Sequence, residues 1–182
     1  MSIFSLLIIL KIILVIVTIG SFIFFFFAIC SIYTNLTTGV PWVKIPEKNI
    51  AKIFKEISLP KNSLIYDLGC GDGRVLFAAA KQGYRAKGLE LSLYPYLKGL
   101  VGKMIIGSQV EIKRKDFLKE NLSQADAIFI FLTGKVLVKL SQKLKQELKP
   151  GAVVISYGFS LPNWPLQRTI LTSPSLTYIY KI

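Results

Sequence analysis

The sequence contains no histidine, so a histidine general base, a histidine-dependent catalytic triad and a histidine-ligated metal are excluded from the outset. Its two cysteines, Cys30 and Cys70, are too few for a disulfide framework or a thiolate zinc site, and a reducing compartment is the natural expectation. Acidic side chains are scarce as well: 10 Asp plus Glu stand against 23 Lys plus Arg, a formal net charge of +13. Collagen-like and low-complexity compositions do not fit 13 glycines and 8 prolines in 182 residues, and disorder does not fit a chain that is 52% hydrophobic. That length predicts one domain, or one plus a small appendage, and no internal repeat is visible.

The hydrophobicity is concentrated at one end. From Ile12 to Tyr33 there are 22 residues without a charge. As a helix that run measures about 33 Å, enough to cross a hydrocarbon core of about 30 Å. A cleaved signal peptide competes with this reading, but the run is long, only Lys11 precedes it and no small-residue cleavage site follows. We therefore expect residues 1–33 to be a transmembrane anchor. Lys44, Lys48 and Lys52 follow the span, which predicts that the rest of the chain lies on the cytoplasmic side and the N-terminus outside. Residues 34–46, with Gly39, Pro41 and Pro46, read as a juxtamembrane proline-containing segment.

Beyond residue 33 the chain still has a net charge of +12, from 22 basic and 10 acidic side chains, and is long enough to bury a core. Apolar runs and helical patterns alternate there. Helices are expected over 47–58, 74–82, 94–106 and 135–149, and strands over 64–68, 86–91, 110–117, 125–132 and 152–159. The tail, 167–172 and 176–182 around Ser173 and Pro174, reads as a closing hairpin. Alternation of this kind predicts an α/β fold, a mainly parallel sheet with helices on both faces.

The chemistry concentrates after the first of these strands, in Asp67-Leu68-Gly69-Cys70-Gly71-Asp72-Gly73-Arg74. Glycines between a strand and a helix let the chain turn sharply and bring backbone N–H groups against a ligand. Arg74 occupies the place of the last glycine of a dinucleotide fingerprint, and no Lys-Ser or Lys-Thr pair completes a phosphate loop. The string resembles the acidic-x-Gly-x-Gly-x-Gly loop of Rossmann-like S-adenosylmethionine-dependent methyltransferases. Glu90 at the end of the second strand, Asp116 with Phe117 at the end of the third, and Leu148-Lys149-Pro150-Gly151-Ala152 before the fifth fall where that family places equivalent features. The resemblance implies a Rossmann-like methyltransferase sandwich over 47–182 and S-adenosyl-L-methionine as cofactor. It further implies cofactor contacts at Asp67, Gly69, Cys70, Gly71, Gly73, Glu90, Asp116 and Phe117, with no metal.

A narrower likeness covers nearly the whole chain. One apolar span, Val40-Pro41-Trp42-Val43-Lys44-Ile45-Pro46, Gly88-Leu89-Glu90-Leu91 and Leu161-Pro162-Asn163-Trp164 together are similar to the membrane-anchored protein-lysine N-methyltransferases of the ATP synthase c-subunit and adenine nucleotide translocase. This likeness implies a membrane protein substrate with an accessible lysine. It also places Pro41, Trp42 and Pro46 in the catalytic region, while Thr133 and Trp164, with Tyr94, Tyr96 and Tyr157, are candidates for the acceptor wall of the catalytic site.

Plainer readings stand beside these. Asp116 also reads as a turn or cap residue, Cys70 as a small side chain that fits the loop, and Lys135, Lys139 and Lys143 as a solvated helix face. The Lys113-Arg114-Lys115 cluster suits a solvated surface or contact with anionic lipid. Two other functions remain open: a methyltransferase of a small apolar or lipid-like membrane metabolite, and a basic nucleic-acid-binding module. Against the latter, the basic residues lack an interleaved aromatic stripe, so no nucleic acid partner is expected.

Overall fold

The computed structural model describes residues 3–38 and 43–182. The first helix, α1 (Ile3–Thr38), contains a segment, Ile3–Cys30, that is long and apolar enough to cross a membrane, and none of its most apolar stretch is buried by the rest of the chain. It runs on to Thr38, through residues expected to belong to the linker, because no Pro or Gly interrupts the chain between Ser21 and Thr38.

The remaining elements alternate: α2 (Glu47–Glu56), β1 (Leu64–Leu68), α3 (Arg74–Lys81), β2 (Arg85–Glu90), α4 (Leu93–Ile106), β3 (Glu111–Arg114), β4 (Ala127–Ile130), α5 (Gly134–Glu147), β5 (Val153–Tyr157), β6 (Arg168–Thr172) and β7 (Ser175–Lys181). The seven strands form one sheet in the order β3-β2-β1-β4-β5-β7-β6. β1 to β5 pair in parallel, whereas β7 runs antiparallel between β5 and β6. The strand order therefore reverses between β1 and β4, and the crevice outside their carboxyl ends is where open α/β sheets bind ligands.

Strand alternation divides the core. Ile65, Phe129 and Ile155 face Ile50, Ile53 and Phe54 of α2 and Val75 and Leu76 of α3, with Tyr96 and Leu100 of α4 packed at the margin. Leu64, Tyr66, Ile128 and Val154 face Leu137, Leu140 and Leu144 of α5. Strands buried on both faces read as continuous apolar runs, which is what Ala127–Ile130 shows.

Three strands are shorter than their apolar runs suggest. β3 stops at Arg114, where the Lys115 amide donates to the Glu90 carbonyl and Asp116 caps a short 3-10 turn, Phe117–Lys119. β4 and β5 stop at Ile130 and Tyr157, so Phe131 and Leu132 lie beyond the sheet edge and not within it.

Candidate active site

A cavity of about 490 Å³ opens at the carboxyl ends of β1, β2 and β4. Its floor is the loop from β1 to α3. Gly69, Gly71 and Gly73 all have left-handed backbone angles, with φ of 81°, 54° and 79°. An L side chain would be strained at each, so the loop is bent in a way that only glycine takes without cost. Gly73, expected as a cofactor contact, does not line the cavity. It precedes α3 in the packed interior, where a Cβ would lie 3.0 Å from Phe77 Cζ and 3.3 Å from Ile112 Cδ1.

Two carboxylates anchor the acidic end. Glu90, 7% exposed, accepts from the Gly71 amide through Oε2 at 2.9 Å and from the Ser92 amide through Oε1 at 2.7 Å. Both loops around the cavity are thus fixed by one side chain, and each oxygen keeps accepting capacity for a ligand. Asp67, 4% exposed, also lines the cavity, yet no hydrogen bond from the described residues reaches its carboxylate. Burial, then the charges of Glu90 and Asp72, push its pKa well above the ordinary carboxylate value. An acid that opens on the cavity without a hydrogen bond from the described residues, beside two others, is suited to a cationic ligand.

Asp72 is held differently. Arg74 donates to it twice, Nε to Oδ1 at 2.9 Å and Nη2 to Oδ2 at 2.7 Å, while Arg74 Nη1 donates to the Ile45 carbonyl at 3.1 Å. Burial raises the Asp72 pKa, but the Arg74 hydrogen bonds and charge outweigh it and the net shift is downward. This fork ties the segment before α2 to the glycine loop. Cys70 lines the cavity as a buried thiol whose pKa is pushed up by burial, then by Asp67 and Glu90, so it is not a thiolate. Its Sγ fills the space over Gly88, where an added Cβ would approach it to 2.6 Å.

Asp116 and Phe117 border the cavity from the far side of β2, and Asp116 Oδ1 accepts from the Leu118 amide at 2.9 Å. The capping reading of Asp116 is therefore realised in its geometry, while its position keeps it on the cavity wall. Leu91, Ser92 and Leu118 complete that side. The opposite wall is apolar, from Val43, Ile45, Phe129, Phe131 and Leu132, and is rimmed by Lys135 and Lys139 of α5.

The acceptor-wall candidates are placed less well by the sequence. Trp164 is 8% exposed, donates from Nε1 to Ser141 Oγ at 2.8 Å and packs edge-on against Tyr180, so it belongs to the core beneath α5 and does not line the cavity. Thr133 is half-buried at the start of α5, next to the lining residue Leu132 but not itself lining. Tyr157 is buried with its hydroxyl accepting from Asn49 Nδ2, and Tyr94 lies exposed on α4 against Phe27. Pro41 and Trp42 lie outside the described residues. The residues missed were the apolar lining, Leu91, Leu118, Phe129, Phe131 and Leu132, and the two lysines. Their signal was position: they sit at or beyond the carboxyl ends of β2, β3 and β4, or on the first turns of α5, at the ligand-binding edge of the sheet.

Fold and cavity together define the class. The bent glycine loop, the Glu90 carboxylate bridging two amides and the Asp67 carboxylate on the cavity wall fit a ligand that carries ribose hydroxyls and a positive charge. The protein is an S-adenosylmethionine-dependent methyltransferase. Residues 67–168 match the ANTKMT methyltransferase domain, and the chain belongs to that family.

Relatives and neighbours are consistent with this. The chain is 33% identical over 135 residues to a protein-lysine N-methyltransferase of Saccharolobus islandicus, covering 72% of this chain and 84% of that one. It is 32% identical to the human lysine N-methyltransferase of the ATP synthase c-subunit and 35% identical to the mouse adenine nucleotide translocase lysine N-methyltransferase. Those matches cover 69% and 71% of this chain but only 54% and 57% of the animal proteins, little more than half their length. Among solved structures, an RNA methyltransferase from Salinibacter ruber in complex with S-adenosyl-L-homocysteine superposes with a TM-score of 0.72 at 27% identity, over 77% of this chain and 94% of that one.

Proposed function

We propose that this protein is a membrane-anchored protein-lysine N-methyltransferase, with a lysine of a membrane protein as acceptor and its catalytic domain on the cytoplasmic side. The observation that carries the proposal is the two-ended cavity. Its acidic end, Asp67 and Glu90, suits the cofactor, and its apolar end with a basic rim suits an amine that must be neutral to react. The lysine methyltransferases among its relatives support the same acceptor.

When bound, the cofactor supplies an electrophilic methyl group on a sulfonium. Within this chain, Asp67 would hold positive charge, Glu90 the ribose hydroxyls and Asp116, Phe117, Leu91 and Leu118 the base. The reaction is an in-line displacement, so positioning and exclusion of water do most of the work. A free lysine has a pKa of about 10.4 and is protonated at neutral pH. Phe129, Phe131 and Leu132 remove water from its path, and Lys135 and Lys139 repel the ammonium form, both of which favour the neutral amine. No histidine is needed for that.

The test is to incubate membranes with the full chain and methyl-labelled cofactor, then divide the label among protein, lipid and RNA. Label in protein that is recovered as methyl-lysine on hydrolysis supports the proposal. Label in lipid alone moves the acceptor to a membrane metabolite, and label in RNA alone moves it to nucleic acid, in line with the activity named for the structural neighbour.

A further inference from the structure

The outer face of α4 is apolar where a soluble enzyme would be charged. Tyr94, Leu97, Val101, Met104 and Ile105 are spaced along one exposed side of the helix, and Met104 and Ile105 are 79% and 80% exposed. Its inner side is made of small residues: a Cβ on Gly99 would lie 3.2 Å from the Gly71 carbonyl oxygen, and one on Gly102 3.2 Å from the Phe77 ring. Tight packing on one side and uncovered hydrocarbon on the other is the pattern of a helix with a second solvent.

What covers it is indicated by α1. The Tyr94 ring meets the Phe27 ring edge-on at a centroid distance of 6.0 Å, and Phe27 and Ala28 are half-buried while most of the preceding apolar segment is exposed. Phe27 lies within the apolar segment Ile3–Cys30, three residues, about 4.5 Å along a helix, before its end. Tyr94 is therefore held beside a residue close to the end of the membrane-spanning segment. Tyrosine at the headgroup level, apolar residues on one face and Lys98 and Lys103 on the flanks make the composition of an interfacial helix.

We infer that α4 lies in the membrane interface with Leu97, Val101, Met104 and Ile105 in lipid, seating the catalytic domain on the bilayer. This rests on the proposed role of α1 as a membrane anchor. It goes beyond that role, because a flexible tether would leave the domain free above the surface. The glycine loop then sits one helix thickness, about 10 Å, from the membrane, which restricts acceptors to lysines held at that level.

The experiment uses the full chain in phosphatidylcholine–phosphatidylserine vesicles, on a Cys30→Ala background in which the buried Cys70 remains. A fluorophore is attached at Met104→Cys, at Ile16→Cys within α1, or at Gln146→Cys on α5 across the sheet. Nitroxide-bearing lipids, shallow or deep, serve as quenchers. The expected result is loss of emission at position 104, strongest with the shallow nitroxide, loss at 16 with the deep one, and no loss at 146. Quenching at 16 without quenching at 104 overturns the α4 inference and leaves the anchor standing. Quenching at neither position overturns both. A blue-shifted but unquenched label at 104 means that a protein surface, such as a second copy, covers the helix, and also overturns it.

Discussion

Replacing Asp67 by Asn separates the stability of this protein from its cofactor binding. The native carboxylate is buried, receives no hydrogen bond from the described residues and faces Glu90 and Asp72. Its raised pKa means that ionising it opposes folding: stability falls as pH rises from the ordinary carboxylate range through the native pKa of this group. Asn keeps the shape, removes the charge and offers Glu90 a donor. The ligand-free variant should gain about 1–3 kcal/mol at neutral pH, because it is freed of the burial and like-charge cost of ionising this carboxylate. At roughly 2–4 °C per kcal/mol for a domain of this size, that is a Tm rise of several degrees. Cofactor binding should move the other way. Loss of one charged hydrogen bond, about 1.5–3 kcal/mol, weakens it by roughly 10- to 150-fold. Thermal melts of the full chain in detergent and calorimetry with S-adenosylmethionine read both. A less stable variant with unchanged affinity would show that Asp67 is a structural acid and refute this assignment.

Other consequences follow from the same geometry. Affinity of the wild-type chain for S-adenosylmethionine should rise with pH through the elevated Asp67 pKa and then level off, a dependence the Asn variant loses; calorimetry over a pH series starting in the ordinary carboxylate range checks it. Gly88→Ala places a Cβ 2.4 Å from Leu76 Cδ1 and 2.6 Å from Cys70 Sγ, and should cost roughly 1–3 kcal/mol in a thermal or denaturant melt. Trp164→Phe removes the indole N–H bond to Ser141, so stability should drop by about 1 kcal/mol with no change in KM for cofactor or acceptor. Neutralising the rim as Lys135→Gln with Lys139→Gln should raise the acceptor amine pKa, shifting the rise of the pH–rate profile upward by about 0.5–1 unit in a methyl-transfer assay.

The parallel sheet and its loop were legible because β1 is a wholly buried run that ends in glycines, and nothing but a tight turn accommodates Gly69, Gly71 and Gly73. Glu90 was legible for a related reason: a carboxylate between Leu89 and Leu91 at a strand end needs partners, and it finds two amides. Gly73 was half legible, since the spacing marks the turn but not that a side chain there would meet Phe77 and Ile112. Trp164 was misplaced because an indole has both an apolar body and a polar handle, and the sequence does not reveal that Ser141 across the fold receives that N–H. The lysines of α5 lie opposite its buried Leu140 and Leu144, which periodicity reads as solvent. They border the cavity only because α5 starts at the carboxyl edge of β4, a fact of topology that helical spacing does not carry.

The central claim, that this cavity delivers a methyl group to lysine on a membrane protein, is tested most directly by mass spectrometry of membrane proteins from cells with and without the active enzyme, the Asp67→Asn variant serving as control. A lysine that gains the mass of one or more methylene units only with the active enzyme is the expected result. Unchanged lysines, with the methyl label recovered from lipid or nucleic acid instead, would contradict it.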